Sequence, residues 1–140
     1  MDFLKCARLV IQGKEKGVCF RASRMRIFCR CILSPVKMGM NFRKNQYTKW
    51  FDYDKIKGTL SLRHRQPGDY LTLPSGGRKT LKSWMIDEKI PRQEREEIWL
   101  LAEEKHILWI VGHRISAYYK ITEQTKTILE VEFNGGKSSG

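Results

Sequence analysis

No uninterrupted apolar run in this sequence is longer than five residues, Ile107–Val111 being one of that length. That limit removes a membrane-spanning helix, which needs roughly 20 apolar residues. It leaves short strands and short amphipathic helices as the available elements. The N-terminus carries Asp2 and no long apolar stretch, so a secretory leader is not expected and the chain reads as soluble and cytoplasmic. With 41% hydrophobic and 11% aromatic residues among 140, there is enough apolar surface for the core of one ordinary domain, and wholesale disorder is excluded.

The short elements can be read from residue 46 onward. Leu60 and Leu62 alternate with Ser61, Arg63 and Arg65 as in a half-buried strand, ended by the turn pair Pro67-Gly68. Tyr70–Leu73 reads as a second short strand, stopped by Pro74-Ser75-Gly76-Gly77. A helix of about three turns is predicted from Thr80 to Lys89, with Leu81, Trp84 and Met85 on one face; Pro91 stops it and opens a charged helical turn, Arg92–Ile98. Trp99–Ala102 and Ile107–Val111 read as a hairpin around Glu103-Glu104-Lys105, and Thr127–Phe133 as a strand with Leu129, Val131 and Phe133 on one face. The class is α+β: a small mixed β-sheet, sandwich-like domain over 46–134, with one amphipathic helix and a second short one. Its predicted core is Leu62, Leu71, Leu81, Trp84, Ile86, Leu108, Ile110, Val131 and Phe133. Residues 135–140 read as a flexible tail.

Residues 1–45 differ in kind. They hold eleven basic residues against Asp2 and Glu15, a net +9, whereas 46–140 carry sixteen against thirteen, a net +3. Leu4, Ala7 and Ile11 fit a short helix and Arg24–Leu33 a basic strand, but Gly13, Gly17, Pro35 and Gly39 interrupt both. The segment is expected to be poorly ordered, either a basic arm for a polyanion or the remainder of a larger domain. All four cysteines, Cys6, Cys19, Cys29 and Cys31, lie within it. In a chain without a secretory leader they are expected to be free thiols, and Cys29-x-Cys31 lacks zinc-knuckle spacing, so no metal site is expected.

Two stretches carry candidate chemistry. In Arg63-His64-Arg65-Gln66-Pro67-Gly68-Asp69, strand alternation sets Arg63 and Arg65 on one face about 7 Å apart, near the spacing of successive phosphates, while Asp69 closes the turn on backbone amides. A solvated strand face explains the two arginines equally well. In Gly76-Gly77-Arg78-Lys79-Thr80-Leu81-Lys82, a glycine turn runs into a helix start surrounded by cations that oppose the helix dipole, which points to a bound anion. Plain surface residues on a packed helix are the alternative there. Ser75-Gly76-Gly77 is not a pyrophosphate loop, because Lys79 and Thr80 stand where its Asp and Ser belong. Gly136-Lys137-Ser138 is not a Walker A motif, because Val131 stands where its first glycine belongs. The carboxylates Asp87, Glu88, Glu94, Glu96 and Glu97 read as solvated helical faces, and no catalytic residue is assigned.

Residues 47–133 resemble the C-terminal domain of bacterial tRNA(Ile)-lysidine synthetase. The matching blocks are Trp50-Phe51-Asp52, Arg63-x-Arg65-x-Pro67-Gly68-Asp69, Gly77-x-Lys79-x-Leu81-Lys82 and Ile86-Asp87-Glu88-Lys89-Ile90-Pro91-Arg92. Leu108-Trp109-Ile110-Val111-Gly112-x-Arg114-Ile115-Ser116 follows, then Tyr119 and Lys120. The resemblance implies an enzyme that adenylates the wobble cytidine of tRNA(Ile) with ATP and magnesium, then lets lysine displace AMP. The family's catalytic domain, with its S-G-G-x-D-S loop, is absent from these 140 residues, so no cofactor is expected in this chain and it is expected to be inactive alone. The resemblance further implies that the domain grips tRNA, with Arg63, Arg65, Arg78, Lys79, Lys82, Lys89, Arg92 and Arg114 as phosphate or sugar contacts that set affinity rather than base choice. A catalytic domain or a second copy of the chain is the protein partner left open. A non-catalytic structural or protein-interaction remnant of a truncated gene is the alternative.

Overall fold

Ile107–Val111 is apolar at every position because the strand it forms is covered on both faces. A computed structural model describes residues 6–9, 18–22, 27–36 and 47–134, with side chains for 33–36 and 47–133. Its strands are β1 Cys6–Leu9, β2 Val18–Ala22, β3 Ile27–Pro35, β4 Thr48–Asp52, β5 Leu60–Arg63, β6 Tyr70–Thr72 and β7 Arg78–Thr80, followed by β8 Leu100–Glu103, β9 His106–Ile110, β10 Arg114–Ile115 and β11 Thr127–Asn134. Two helices, α1 Leu81–Asp87 and α2 Arg92–Arg95, lie between β7 and β8, and 3-10 turns occupy Tyr53–Lys55 and Ala117–Tyr119. One sheet runs β1-β5-β8-β9-β6-β7, with β10 also on β9; the other runs β2-β3-β11-β4.

The layers follow from alternation along β8 and β9. Leu101, Leu108 and Trp109 face Phe51, Leu129, Val131 and Phe133 of the second sheet. Leu100, Ala102, Ile107 and Ile110 face the opposite way, with Leu71 and the Leu81, Trp84, Met85 and Ile90 side chains of the α1 region. Leu108 and Trp109 share a side because the β8–β9 register shifts between Leu101 and Ala102, a bulge that adds one residue to β9. The result is helix, sheet and sheet in three layers, the α+β class expected.

The Trp50-Phe51-Asp52 block is placed by β11. Trp50 pairs with Glu130 across the strands and its Nε1 donates to Glu130 Oε1 at 2.9 Å. Phe51 is fully buried, and Asp52 accepts from the Asp54 amide and, at 2.9 Å, from Thr125 Oγ1.

Several expectations need correction. Ile86 is 49% exposed rather than core. On α1 the buried positions are Leu81, Trp84 and Met85, and Ile86 is turned away by one further 100° step. The helix is about two turns, not three. Thr80 caps it, Oγ1 accepting from the Ser83 amide at 3.2 Å. It ends in a Schellman arrangement, in which the Ile90 amide donates to Met85 O and the Lys89 amide to Ile86 O, each at 3.0 Å. The second helical segment stops at Arg95 instead of Ile98. Cys6–Leu9 is a strand, not part of a helix, and pairs with β5; β3 pairs with β11 and matches the basic strand expected over Arg24–Leu33. The cysteine side chains and residues 135–140 lie outside what the structure describes.

Candidate functional site

Arg63 does not lie on the phosphate-facing surface expected of it. β5 ends at this residue, and its side chain turns inward, 4% exposed, onto a buried Asp69. Nη1 donates to Asp69 Oδ2 at 2.9 Å and Nη2 to Oδ1 at 2.8 Å, a bidentate pair. Nη2 also donates to the Glu104 carbonyl at 2.6 Å, and Asp69 Oδ2 accepts from the Gln66 amide at 2.8 Å. Asp69 therefore closes its turn as expected, while Arg63 is a structural residue with no face for a phosphate. The expected phosphate-spaced pair dissolves with it.

Arg65 lies beyond the strand, where Nε and Nη2 both donate to Glu96 Oε1 at 2.9 and 2.7 Å. With Lys82, Thr80, Gln66 and the Pro67-Gly68-Asp69 turn it lines a groove of about 540 Å³. Gly68 holds a φ of +89° there, a conformation L side chains rarely adopt. Arg78 and Lys79 are not in the first turn of the helix: the glycine turn leads into β7, and both belong to that strand. Lys79 pairs with Asp87. Lys82, Lys89, Arg92 and Arg114 are exposed and make no ion pair with another described residue.

A second groove, of about 460 Å³, is built around His106 and was not singled out in the sequence. The parallel bridge between β6 and β9 pairs Tyr70 with His106, so their rings stack with centroids 4.6 Å apart at 23°. Arg78, on the neighbouring β7, lies 4.8 Å over the Tyr70 ring. The 3-10 turn after β10 brings Tyr118 to 5.0 Å and Tyr119 to 4.8 Å from His106. Lys55, from the other 3-10 turn, sits 5.4 Å over Tyr118. The signal for this cluster is spread over five segments, each carrying only one or two of its residues, so no local motif reports it.

The carboxylate at its floor is already occupied. Glu103 accepts from the Tyr119 hydroxyl at 2.7 Å and from the backbone amides of Lys57 and Gly58. Burial pushes its pKa up, but those three donors outweigh burial and hold the carboxyl below its ordinary range. His106 is shifted down, first by burial and then by the Arg78 guanidinium, with Glu103 opposing in part. Tyr119 is shifted up by burial and by its bond to Glu103. Among the described residues no group of three or more His, Cys, Asp and Glu converges as metal ligands, and no helix is long and apolar enough to cross a membrane.

Comparison with known proteins adds a family to this geometry. Residues 60–132 match the TilS substrate C-terminal domain. A tRNA(Ile)-lysidine synthase of Caldanaerobacter subterraneus subsp. tengcongensis is 46% identical over 94 residues, 66% of this chain and 20% of that protein. The synthase of Clostridium tetani is 41% identical over 97 residues, 69% of this chain and 21% of its own length. The chain thus spans about a fifth of these relatives. The crystal structure of a TILS C-terminal domain superposes with a TM-score of 0.63 at 23% identity, covering 80% of this chain and 86% of that one.

Proposed function

Because the chain belongs to the TilS substrate C-terminal domain family, we propose that it is the tRNA-binding module of a tRNA(Ile)-lysidine synthase. In this reading it holds the tRNA while ATP-dependent attachment of lysine to the wobble cytidine takes place on a domain outside these residues, where ATP, magnesium and lysine would bind. The observation that supports it is the charge balance of the two grooves. Their acids are largely engaged from within: Asp69 by Arg63, Glu96 by Arg65, and Glu103 by Tyr119 and two amides. The cations Lys82 in one groove and Lys55, Lys57 and Arg78 in the other have no carboxylate partner among the described residues, which favours a polyanion as their ligand.

A salt titration of tRNA binding tests this. Each neutralised phosphate should contribute about −0.8 to the slope of log K against log salt. Replacing Lys82 and Arg78 by Gln should flatten that slope by roughly 1.6 while weakening all RNA sequences alike. A salt-independent affinity, or a slope unchanged in the double variant, would sink the reading.

A further inference from the structure

We propose that the groove around His106 is a binding site for one unpaired nucleotide of an RNA, its base stacked on Tyr118 and its phosphates on Lys55, Lys57 and Arg78. The inference rests on the RNA-binding reading above and adds to it a kind of contact that phosphate binding does not require. Its first support is the contrast between adjacent tyrosines. Tyr119 is fully buried and hydrogen-bonded, whereas Tyr118 is 45% exposed in a groove of about 460 Å³, within the range of small-ligand sites.

The Tyr118 ring is held before any ligand arrives. It meets Tyr119 edge-on at 4.9 Å and 86°, and His106 at 5.0 Å. A fixed aromatic with solvent on part of its surface can accept a base at little further entropic cost, and every base has a π-face to offer. The cations supply the second support. Arg78 is steered by Tyr70, and Lys55 by Tyr118 itself, so positive charge is fixed beside the exposed ring. Glu103 has its oxygens taken up by three donors but keeps its charge, so Glu103 and Glu104 are the two acids set against the cations Lys55, Lys57 and Arg78.

Such a ring cannot reach a paired base. In a duplex both faces of each base are covered by its neighbours, and sequence-tolerant stacking on protein aromatics is confined to bases that have left the stack. The ligand is therefore a single-stranded or bulged position. The groove contributes stacking, a term independent of salt, on top of the salt-sensitive phosphate contacts.

The test uses the full 140-residue chain and a short single-stranded RNA carrying 2-aminopurine, free or annealed to its complement. Binding should quench the fluorescence of the single strand and leave that of the duplex unchanged. Tyr118→Leu should abolish the quenching and weaken the single strand roughly ten-fold while sparing the duplex; Tyr118→Trp should retain both effects. Equal quenching in Tyr118→Leu, or an equal loss for both RNAs, would overturn the site. If duplex and tRNA bind with a steep salt response but no quenching occurs, the nucleotide site fails and the RNA-binding reading stands. If no RNA binds, both fall.

Discussion

Arg63 and Asp69 show how a motif can be legible while its role is not. Alternation with Leu62 sends Arg63 to the face opposite the core, and in a sheet with one wet face that means solvent. This sheet is covered on both faces, so the opposite face is interior too, and an arginine there must bring its own counter-ion. Removing one member leaves a buried charge unpaired, which costs about 3–5 kcal/mol. Asp69→Ala should therefore lower the unfolding free energy by that amount, read as a lower urea midpoint, whereas the double change Arg63→Met with Asp69→Leu should recover much of the loss. A near-neutral Asp69→Ala would mean the pair is hydrated. His106 gives a second prediction at this scale. Its folded pKa lies below its ordinary value of 6.5. As pH falls the unfolded chain takes up the proton first, so stability is full above about pH 6.5 and is lost as pH falls through the folded value. Arg78 and Glu103 are the charged groups that act on it, with Tyr118 and Tyr119 beside it. Urea midpoints of the chain and of His106→Gln should converge on acidification from about pH 7.5 to pH 5. A constant difference would show that the imidazole does not titrate against folding.

The elements divide by how much pattern their length can carry. β5, α1 and β11 were readable because apolar residues recur in them at a strand or helix period, the β8–β9 hairpin because two apolar runs flank a polar turn, and β6 and the helix boundary because Pro74 and Pro91 mark their ends. β7 and β10 were not, because strands of three and two residues hold no period. β4 was missed because Thr48, Lys49, Trp50, Phe51 and Asp52 show no alternation; Trp50 and Asp52 are spent on side-chain hydrogen bonds. The end of α1 was misread for a different reason. Lys89 adopts a φ of +56° to complete the Schellman turn, a position where glycine signals the stop and lysine does not. Lys89→Gly should therefore stabilise the chain by up to about 1 kcal/mol, read as a higher urea midpoint. If Lys89 also touches phosphate, the same variant should bind tRNA more weakly while being more stable. A lower midpoint would show that the lysine side chain contributes packing that outweighs the backbone strain.

At the scale of the whole molecule, the least legible part was the first third of the chain. Charge dominates its composition and glycines interrupt its apolar residues, so its strands only acquire meaning beside partners far away in sequence. β1 lies on β5, and β3 pairs with β11 through eight residue pairs from Thr127↔Pro35 to Asn134↔Phe28. Deleting residues 1–44 should consequently do more than remove charge: β11 would keep β4 alone, and the layer over Leu101, Leu108 and Trp109 would lose half of its strands. The truncated chain should lose a large part of a domain's typical ~5–15 kcal/mol, seen as a much lower urea midpoint by tryptophan fluorescence. An unchanged midpoint would show that β1–β3 are not integral to the domain. The same pairing has a consequence during synthesis. β3 leaves the ribosome more than ninety residues before the strand it needs. At about 5–20 residues per second, its open edge waits several seconds for β11, which makes this early basic segment the stretch of the nascent chain most in need of shielding.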